Sequence, residues 1–192
     1  MTVAAAILAG GRGRRLGGID KGLLAVGGEP IALRQLRVLT PLVAERMIVA
    51  GHIEPYRDFD ARLVVDLHPG AGPLAGLEAA LSVCTMEHLV VFACDMPFVD
   101  AQLVTALRDA PRAEAVVARL DGKAQPLAAR YSRAILPRVQ RRLQRDKLRL
   151  LDLVAELDPQ WIDYPAGTRA LYNVNTPEEL ARAEEMVAGA RS

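Results

Sequence analysis

Two features of the sequence could do chemistry together. Between Gly10 and Lys21 stand five glycines and four basic residues, in the order Gly10-Gly-Arg-Gly-Arg-Arg-Leu-Gly-Gly-Ile-Asp-Lys21. Glycine lets backbone N–H groups come close to a ligand, and arginine and lysine add positive charge. Such a loop suits phosphates, and it follows the apolar run Val3–Leu8 directly. The second feature is Asp95, at the end of the apolar run in Leu89-Val-Val-Phe-Ala-Cys-Asp95-Met-Pro97. A carboxylate there is costly to desolvate unless it meets a cation. Mg²⁺ held by one or two carboxylates plus substrate phosphates is the usual arrangement in nucleotide chemistry. The competing reading is that Asp95 caps the next turn or pairs with an arginine. Its place at a strand end, opposite a basic loop, favours the metal.

The loop is neither of two familiar phosphate cradles. A dinucleotide fingerprint needs G-x-G-x-x-G, but Gly11-x-Gly13 is followed by Leu16, with glycine one place late at Gly17. A P-loop needs Gly-Lys followed by Ser or Thr, whereas Asp20 precedes Lys21 and Gly22 follows it. A solvated surface loop is the plainer alternative.

Three further segments carry polar residues at telling places. Asp66 follows the apolar run Arg62–Val65. Gly70-Ala-Gly72-Pro73-Leu74-Ala75-Gly76 then reads as a turn into a helix with Pro73 at its first position. Helix entry leaves Gly76 unexplained, since glycine costs a helix about 1 kcal/mol relative to alanine; a close approach by backbone or ligand is the expected cause. In Asn173-Val-Asn175-Thr176-Pro177-Glu178-Glu179-Leu180, Thr176 and Glu179 form a capping box and Pro177 fills the first helical position. That accounts for three residues and leaves Asn173 and Asn175 over. Gln125-Pro126-Leu127 reads equally well as a turn into an edge strand or as a pocket border. Arg138, Arg141, Arg142, Arg145 and Arg149 recur at helical spacing and read as a solvated helix face, with an acidic partner's docking surface as the alternative. His52, His68 and His88 lack metal-ligand spacing, and no Ser-His-Asp or Cys-His arrangement is apparent, so a covalent enzyme intermediate is not expected.

The elements that must position these residues alternate. Strands are expected at Val3–Leu8, Arg46–Ala50, Arg62–Val65, His88–Ala93, Glu114–Ala118 and Gln125–Tyr131. Helices are expected at Pro30–Leu39, Leu74–Val83, Asp100–Arg108 (capped by Asp100), Ser132–Gln144, Leu148–Glu156 and Pro177–Val187. Strands apolar throughout, alternating with helices, predict an α/β fold: a Rossmann-like three-layer sandwich, a mainly parallel sheet with helices on both faces. In such sheets ligands bind outside the carboxyl ends of the strands. Gly10-Gly11, Gly51-His52, Asp66 and Asp95 each follow a predicted strand, so four separate segments point to one crevice.

Bulk properties bound the rest. The 192 residues suit a single domain, 1–192, and 51% apolar composition allows a substantial core. A net charge of +1 argues against a dedicated nucleic-acid binder. No apolar stretch reaches the roughly 20 residues of a membrane span, and no secretory leader is expected. Cys84 and Cys94 form neither a CxxC pair nor a disulfide framework, so reduced core thiols and a cytoplasmic location are expected.

Leu8-Ala-Gly-Gly11, a short basic stretch, Arg15-Leu16-Gly17 and Asp20-Lys21 resemble the LAGG-x-x-x-R-M-G-x-D-K motif of molybdenum cofactor guanylyltransferases, with Leu16 in place of methionine. Cys94-Asp95-Met96-Pro97 resembles the family's C-D-x-P, Gly72–Gly76 its G-P-L-A-G, and Asn173–Leu180 its N-x-N-T-P-E-E-L. The resemblance implies transfer of GMP from GTP to the terminal phosphate of molybdopterin, free or carrying molybdenum, with release of pyrophosphate. It implies that Leu8, Ala9 and Gly10 line the guanine and ribose side, and that Gly11 and the arginines wrap the triphosphate. Lys21, with Arg15, would neutralise charge on the α-phosphate. Asp95 would hold Mg²⁺, and Asp66 and Gly76 would contact the nucleotide. Asn173, Asn175 and Gln125 would border the pterin acceptor. Cofactor-biosynthesis proteins or molybdoenzyme chaperones would be its partners. Guanine-using members combine LAGG with G-P-L-A-G, whereas cytosine-using relatives more often carry LAAG. Where the family often has asparagine after its second strand, this chain has Ala50-Gly51-His52. A cytidylyl- or sugar-phosphate nucleotidyltransferase of the same fold, and a non-catalytic nucleotide-binding or cofactor-delivery protein, are the alternatives.

Overall fold

The computed structural model describes residues 1–9, 12–13, 19–68 and 70–189, the backbone alone at 12, 13 and 19. The elements run β1 Ala4–Leu8, β2 Arg12–Gly13, β3 Ile19–Asp20, β4 Ala25–Val26, β5 Glu29–Pro30, α1 Ile31–Leu39, β6 Glu45–Ala50, β7 Arg62–Val65, α2 Pro73–Val83, β8 His88–Ala93, α3 Ala101–Asp109, β9 Ala115–Leu120, β10 Lys123–Ser132, α4 Leu136–Gln144, α5 Leu150–Glu156, β11 Gln160–Tyr164 and α6 Pro177–Gly189. Seven strands form one sheet in the order β11-β9-β10-β8-β1-β6-β7. β8, β1, β6 and β7 are mutually parallel. β10 runs against both its neighbours, and β11 lies parallel to β9. The mainly parallel three-layer sandwich is therefore the fold.

β1 is central because it is small and apolar on both sides. Val3, Ala5, Ile7 and Ala9 belong to the core shared with α1 and α3. The alternate residues Ala4, Ala6 and Leu8 belong to the core shared with α2, α4 and α5. The period of two along a strand sends successive side chains to opposite faces, and alanine lets each helix layer approach closely. A third, smaller cluster joins Leu24, Val26 and Ile31 to Val174, Ala183 and Val187, and so fastens α6 beside the first crossover. Among the described residues no helix is long and apolar enough to cross a membrane.

The structure departs from expectation at four places. β11 is not apparent in the sequence because it is a polar edge strand, with Gln160, Trp161 and Asp163 exposed. It is held by a two-pronged Arg119–Asp163 pair at 2.7 and 2.8 Å and by the Arg119 guanidinium 4.8 Å from the Trp161 ring. The β4–β5 ribbon is too short to have a pattern. The helix expected over Ser132–Gln144 is interrupted at its start. Ser132 ends β10, its hydroxyl caps a single 3₁₀ turn at Arg133–Ile135, and the α-helix starts at Leu136 with Pro137 in its first turn. The next helix begins at Leu150 rather than Leu148.

Candidate active site at the carboxyl edge of the sheet

Three of the predicted side chains meet. Asp95 lies two residues beyond β8. Lys21 opens a 3₁₀ turn, Lys21–Leu23, that follows the glycine-arginine loop. Its Nζ donates to Asp95 Oδ2 at 3.0 Å and to Asn175 Oδ1 at 2.5 Å. The Lys21 and Asp95 side chains keep only 15% and 17% of their exposure, so their attraction is less screened than that of a surface pair. The other carboxylate oxygen, Asp95 Oδ1, is buried and accepts no hydrogen bond from any described residue. Buried polar atoms are rarely left so. One oxygen turned to a lysine and one left open is a geometry that accepts a cation.

Asn175 arrives from the far end of the chain. The backbone N–H of Val174 donates to the Asp95 carbonyl at 2.8 Å, which places Asn173 and Asn175 on either side of that contact. The expected capping box is present: Glu179 N–H donates to Thr176 Oγ1 at 3.2 Å, and Glu179 Oε2 accepts from Thr176 N–H at 3.0 Å. It also accepts from Asn175 N–H at 2.6 Å, so the cap that starts α6 also fixes Asn175. Asn173 is turned back on its own segment, donating to the Leu171 carbonyl at 3.2 Å.

The remaining candidates line the same edge without touching this trio. Leu8 and Ala9 are buried, and their side chains serve opposite cores. Ala9 N–H donates to Val49 O at 2.7 Å, and Leu8 O accepts from Cys94 N–H at 3.2 Å, which fixes the loop's origin against the strand that carries Asp95. With both side chains in the core, only the backbone there is left to face a ligand. Asp66 directly follows β7, and its carboxylate accepts from His68 N–H at 2.9 Å, a local Asx turn. β10 enters the sheet at this edge because it is antiparallel; Gln125 lies there, donating to Lys123 O at 3.3 Å, just before a register shift in the pairing with β9. Gly10, Gly11 and Arg15 lie outside the described residues.

Gly76 requires a correction. It is buried, and a Cβ at this position would stand 3.3 Å from Leu8 Cδ1. The close approach expected at Gly76 is made by a core side chain, so helix packing accounts for the glycine. The arginine series also divides. Arg142 is buried and bonds Glu156 Oε1 and the Arg149 carbonyl, and Arg138 pairs with Glu114, while Arg141, Arg145 and Arg149 are exposed. Cys84 and Cys94 are buried and free, and burial pushes both thiols above their usual range, so the core-thiol expectation holds.

In the sequence Asp20 stands only as part of the Asp20-Lys21 motif, without a role, and Tyr56 was not singled out. Tyr56 is fully buried, and its hydroxyl donates to Asp20 Oδ1 at 2.6 Å, next to Lys21. Its sequence neighbourhood, Glu54-Pro55-Tyr56, gives no local sign of that partner 36 residues away.

Residues 5–159 match the MobA-like NTP transferase domain. The chain belongs to that family. A relative from Pelotomaculum thermopropionicum, named a probable molybdenum cofactor guanylyltransferase, is 34% identical over 97% of this chain and 94% of its own length. A molybdenum cofactor guanylyltransferase from Pseudomonas fluorescens is 34% identical over 91% of this chain and 90% of its own. Among solved structures, molybdopterin-guanine dinucleotide biosynthesis protein A from Archaeoglobus fulgidus aligns with a TM-score of 0.79 and 26% identity over 97% of this chain and 99% of that one. A cytidylyltransferase from Thermus thermophilus, at 22% identity and a TM-score of 0.75, shares the fold. Within this MobA-like chain, the match at 5–159 takes in Lys21 and Asp95, while Asn173 and Asn175 lie beyond it.

Proposed function

We propose that this chain transfers GMP from GTP to the terminal phosphate of molybdopterin, releasing pyrophosphate and forming the guanine dinucleotide form of the cofactor. The observation that carries the proposal is the Lys21–Asp95–Asn175 cluster at the carboxyl edge of the sheet, with one Asp95 oxygen left open. The names borne by relatives along nearly the whole chain select guanine and molybdopterin.

A phosphate oxygen of the acceptor attacks the α-phosphorus of GTP, the bond to the β-phosphate oxygen breaks, and pyrophosphate leaves with that electron pair. Two anions must be brought together, so the work of the site is positioning and charge neutralisation. Lys21, released from Asp95, places its ammonium on the α-phosphate. Asn175 then keeps one of its present contacts and holds the lysine's reach. Mg²⁺ would fit the donor set: Asp95 Oδ1 is a carboxylate oxygen that accepts no hydrogen bond from any described residue. A single protein carboxylate plus substrate phosphates is a common Mg²⁺ arrangement, and the ion supplies positive charge to the leaving pyrophosphate. Hand-over to cofactor-biosynthesis proteins or molybdoenzyme chaperones, and a cytoplasmic location, belong to the same reading.

Competition binding of GTP, CTP, ATP and UTP in the presence of Mg²⁺, followed by pyrophosphate release with purified molybdopterin, tests it. GTP should bind at least tenfold more tightly than CTP, since a site that hydrogen-bonds one base rejects another strongly. Preference for CTP, or GTP binding without pyrophosphate release, would overturn the proposal.

A further inference from the structure

Lys21 must reach a phosphate from a turn that contains Gly22, and a side chain from another part of the sheet holds that turn. Tyr56 comes from the 3₁₀ turn Glu54–Tyr56 after β6, the parallel neighbour of β1. It is fully buried, with its ring edge-on to Phe59 at 5.4 Å and 82°. Its hydroxyl and the Gly22 N–H both donate to Asp20 Oδ1, at 2.6 and 3.0 Å. A Cβ on Gly22 would stand less than a hydrogen-bond length from the same hydroxyl oxygen, so the phenol lies directly beneath the backbone that carries Lys21. Asp20 Oδ1, on the residue before Lys21, thus ties together the residue after it and Tyr56.

We propose that Tyr56 is a positioning residue for Lys21, acting through Asp20; the proposal rests on the reading that Lys21 serves the α-phosphate. Two consequences follow for phosphate chemistry. The reach of Nζ is set before substrate binds, and phosphoryl transfer is sensitive to displacements of about 1 Å. The Asp20 carboxylate, one residue from a phosphate-binding lysine, would repel the substrate; donors from Tyr56 and Gly22 offset part of its charge. Burial and the carboxylate both push the phenol upward, so the hydroxyl remains a donor throughout the working pH range.

The chain contains three lysines, Lys21, Lys123 and Lys147, so lysine labelled with ¹³C at Cε gives three resonances. In the intact protein the Lys21 signal should stand apart from the other two and move on addition of GTP. In Tyr56→Phe it should shift toward the two exposed lysines. kcat should fall about tenfold with KM for GTP within about twofold. In a Lys21→Ala background the same substitution should lower kcat no further. Gly22→Ala, which displaces the hydroxyl from the other side, should reproduce the shift in a protein that keeps its thermal transition. An unmoved Lys21 signal with unchanged kcat, or an undiminished fall in the Lys21→Ala background, overturns the proposal. If the intact protein transfers no nucleotide, the functional reading fails, while the Lys21 resonance still decides the role of Tyr56.

Discussion

Strand β8 has a buried or half-buried cation at each end, and the two are held in opposite ways. At its carboxyl end Lys21 is gripped by two side chains, Asp95 and Asn175, that are themselves candidates for substrate or metal. At its amino end Arg130, fully buried on the neighbouring strand β10, gives its guanidinium to the carbonyls of Arg108, Ala110 and Pro111 at 2.6–3.0 Å. Those carbonyls close the last turn of α3, where a helix concentrates negative partial charge and unsatisfied acceptors. His88, at the start of β8 beside Arg130, is 2% exposed, and neither of its ring nitrogens has a hydrogen-bond partner among the described residues. A cation held by backbone carbonyls cannot be exchanged for a ligand. A cation held by a carboxylate with an open oxygen can. One strand therefore separates a fastening from the candidate site.

Substitutions at the two ends should part activity from stability. The largest effect is expected for Asp95→Asn, which removes the charge and keeps the shape: kcat should drop by about 10³ or more while the thermal midpoint stays within a few degrees, measured by pyrophosphate release and calorimetry. Arg130→Met should do the reverse. It leaves three part-buried carbonyls without their donor and should cost about 3 kcal/mol, lowering the midpoint by roughly 10 °C, with kcat at 20 °C nearly unchanged. A large loss of kcat in that variant would break the division. Lys21→Ala should lower kcat by about 10²-fold and nucleotide affinity much less, since its charge matters most in the transition state; steady-state kinetics with GTP titrations separate the two.

The smallest effect concerns pH. Burial first, then the nearby Arg130 charge, holds His88 below the usual histidine range. The unfolded chain then takes up this proton more readily than the folded one, so the contribution is intact at neutral pH and is lost as pH falls below about 6.5. His88→Leu should reduce the fall in thermal midpoint between pH 7 and pH 5, without altering the pH dependence of kcat. An unchanged pH profile of stability would remove His88 from the comparison.

What could be read from the sequence was what short-range chemistry marks. Apolar runs such as Val3–Leu8 and His88–Ala93 are buried on both faces, so composition alone identifies them as inner strands. Asp95 was legible because a carboxylate closes such a run, and Asn175 because the capping box explains its neighbours and leaves it over. Less legible was whatever depends on a distant partner. β10 was foreseen as a strand but not as the one that reverses direction, since orientation is a property of the pairing. Gly76 signalled a close approach, yet only the packed structure identifies Leu8 as its cause. Tyr56 had no local mark. Arg130 had one: an arginine in the apolar run Leu127-Ala-Ala-Arg130-Tyr131 must find acceptors inside the protein.

The hydrogen bond from Val174 to the Asp95 carbonyl has a consequence for the order in which the protein is made. Lys21 and Asp95 leave the ribosome early, and their sheet can assemble around them. Asn175, 154 residues after Lys21, comes last and rests on the α6 cap. A chain that has reached Asp95 but not Asn175 lacks one of the two acceptors of the Lys21 ammonium. The complete grip on Lys21 therefore depends on α6 being docked.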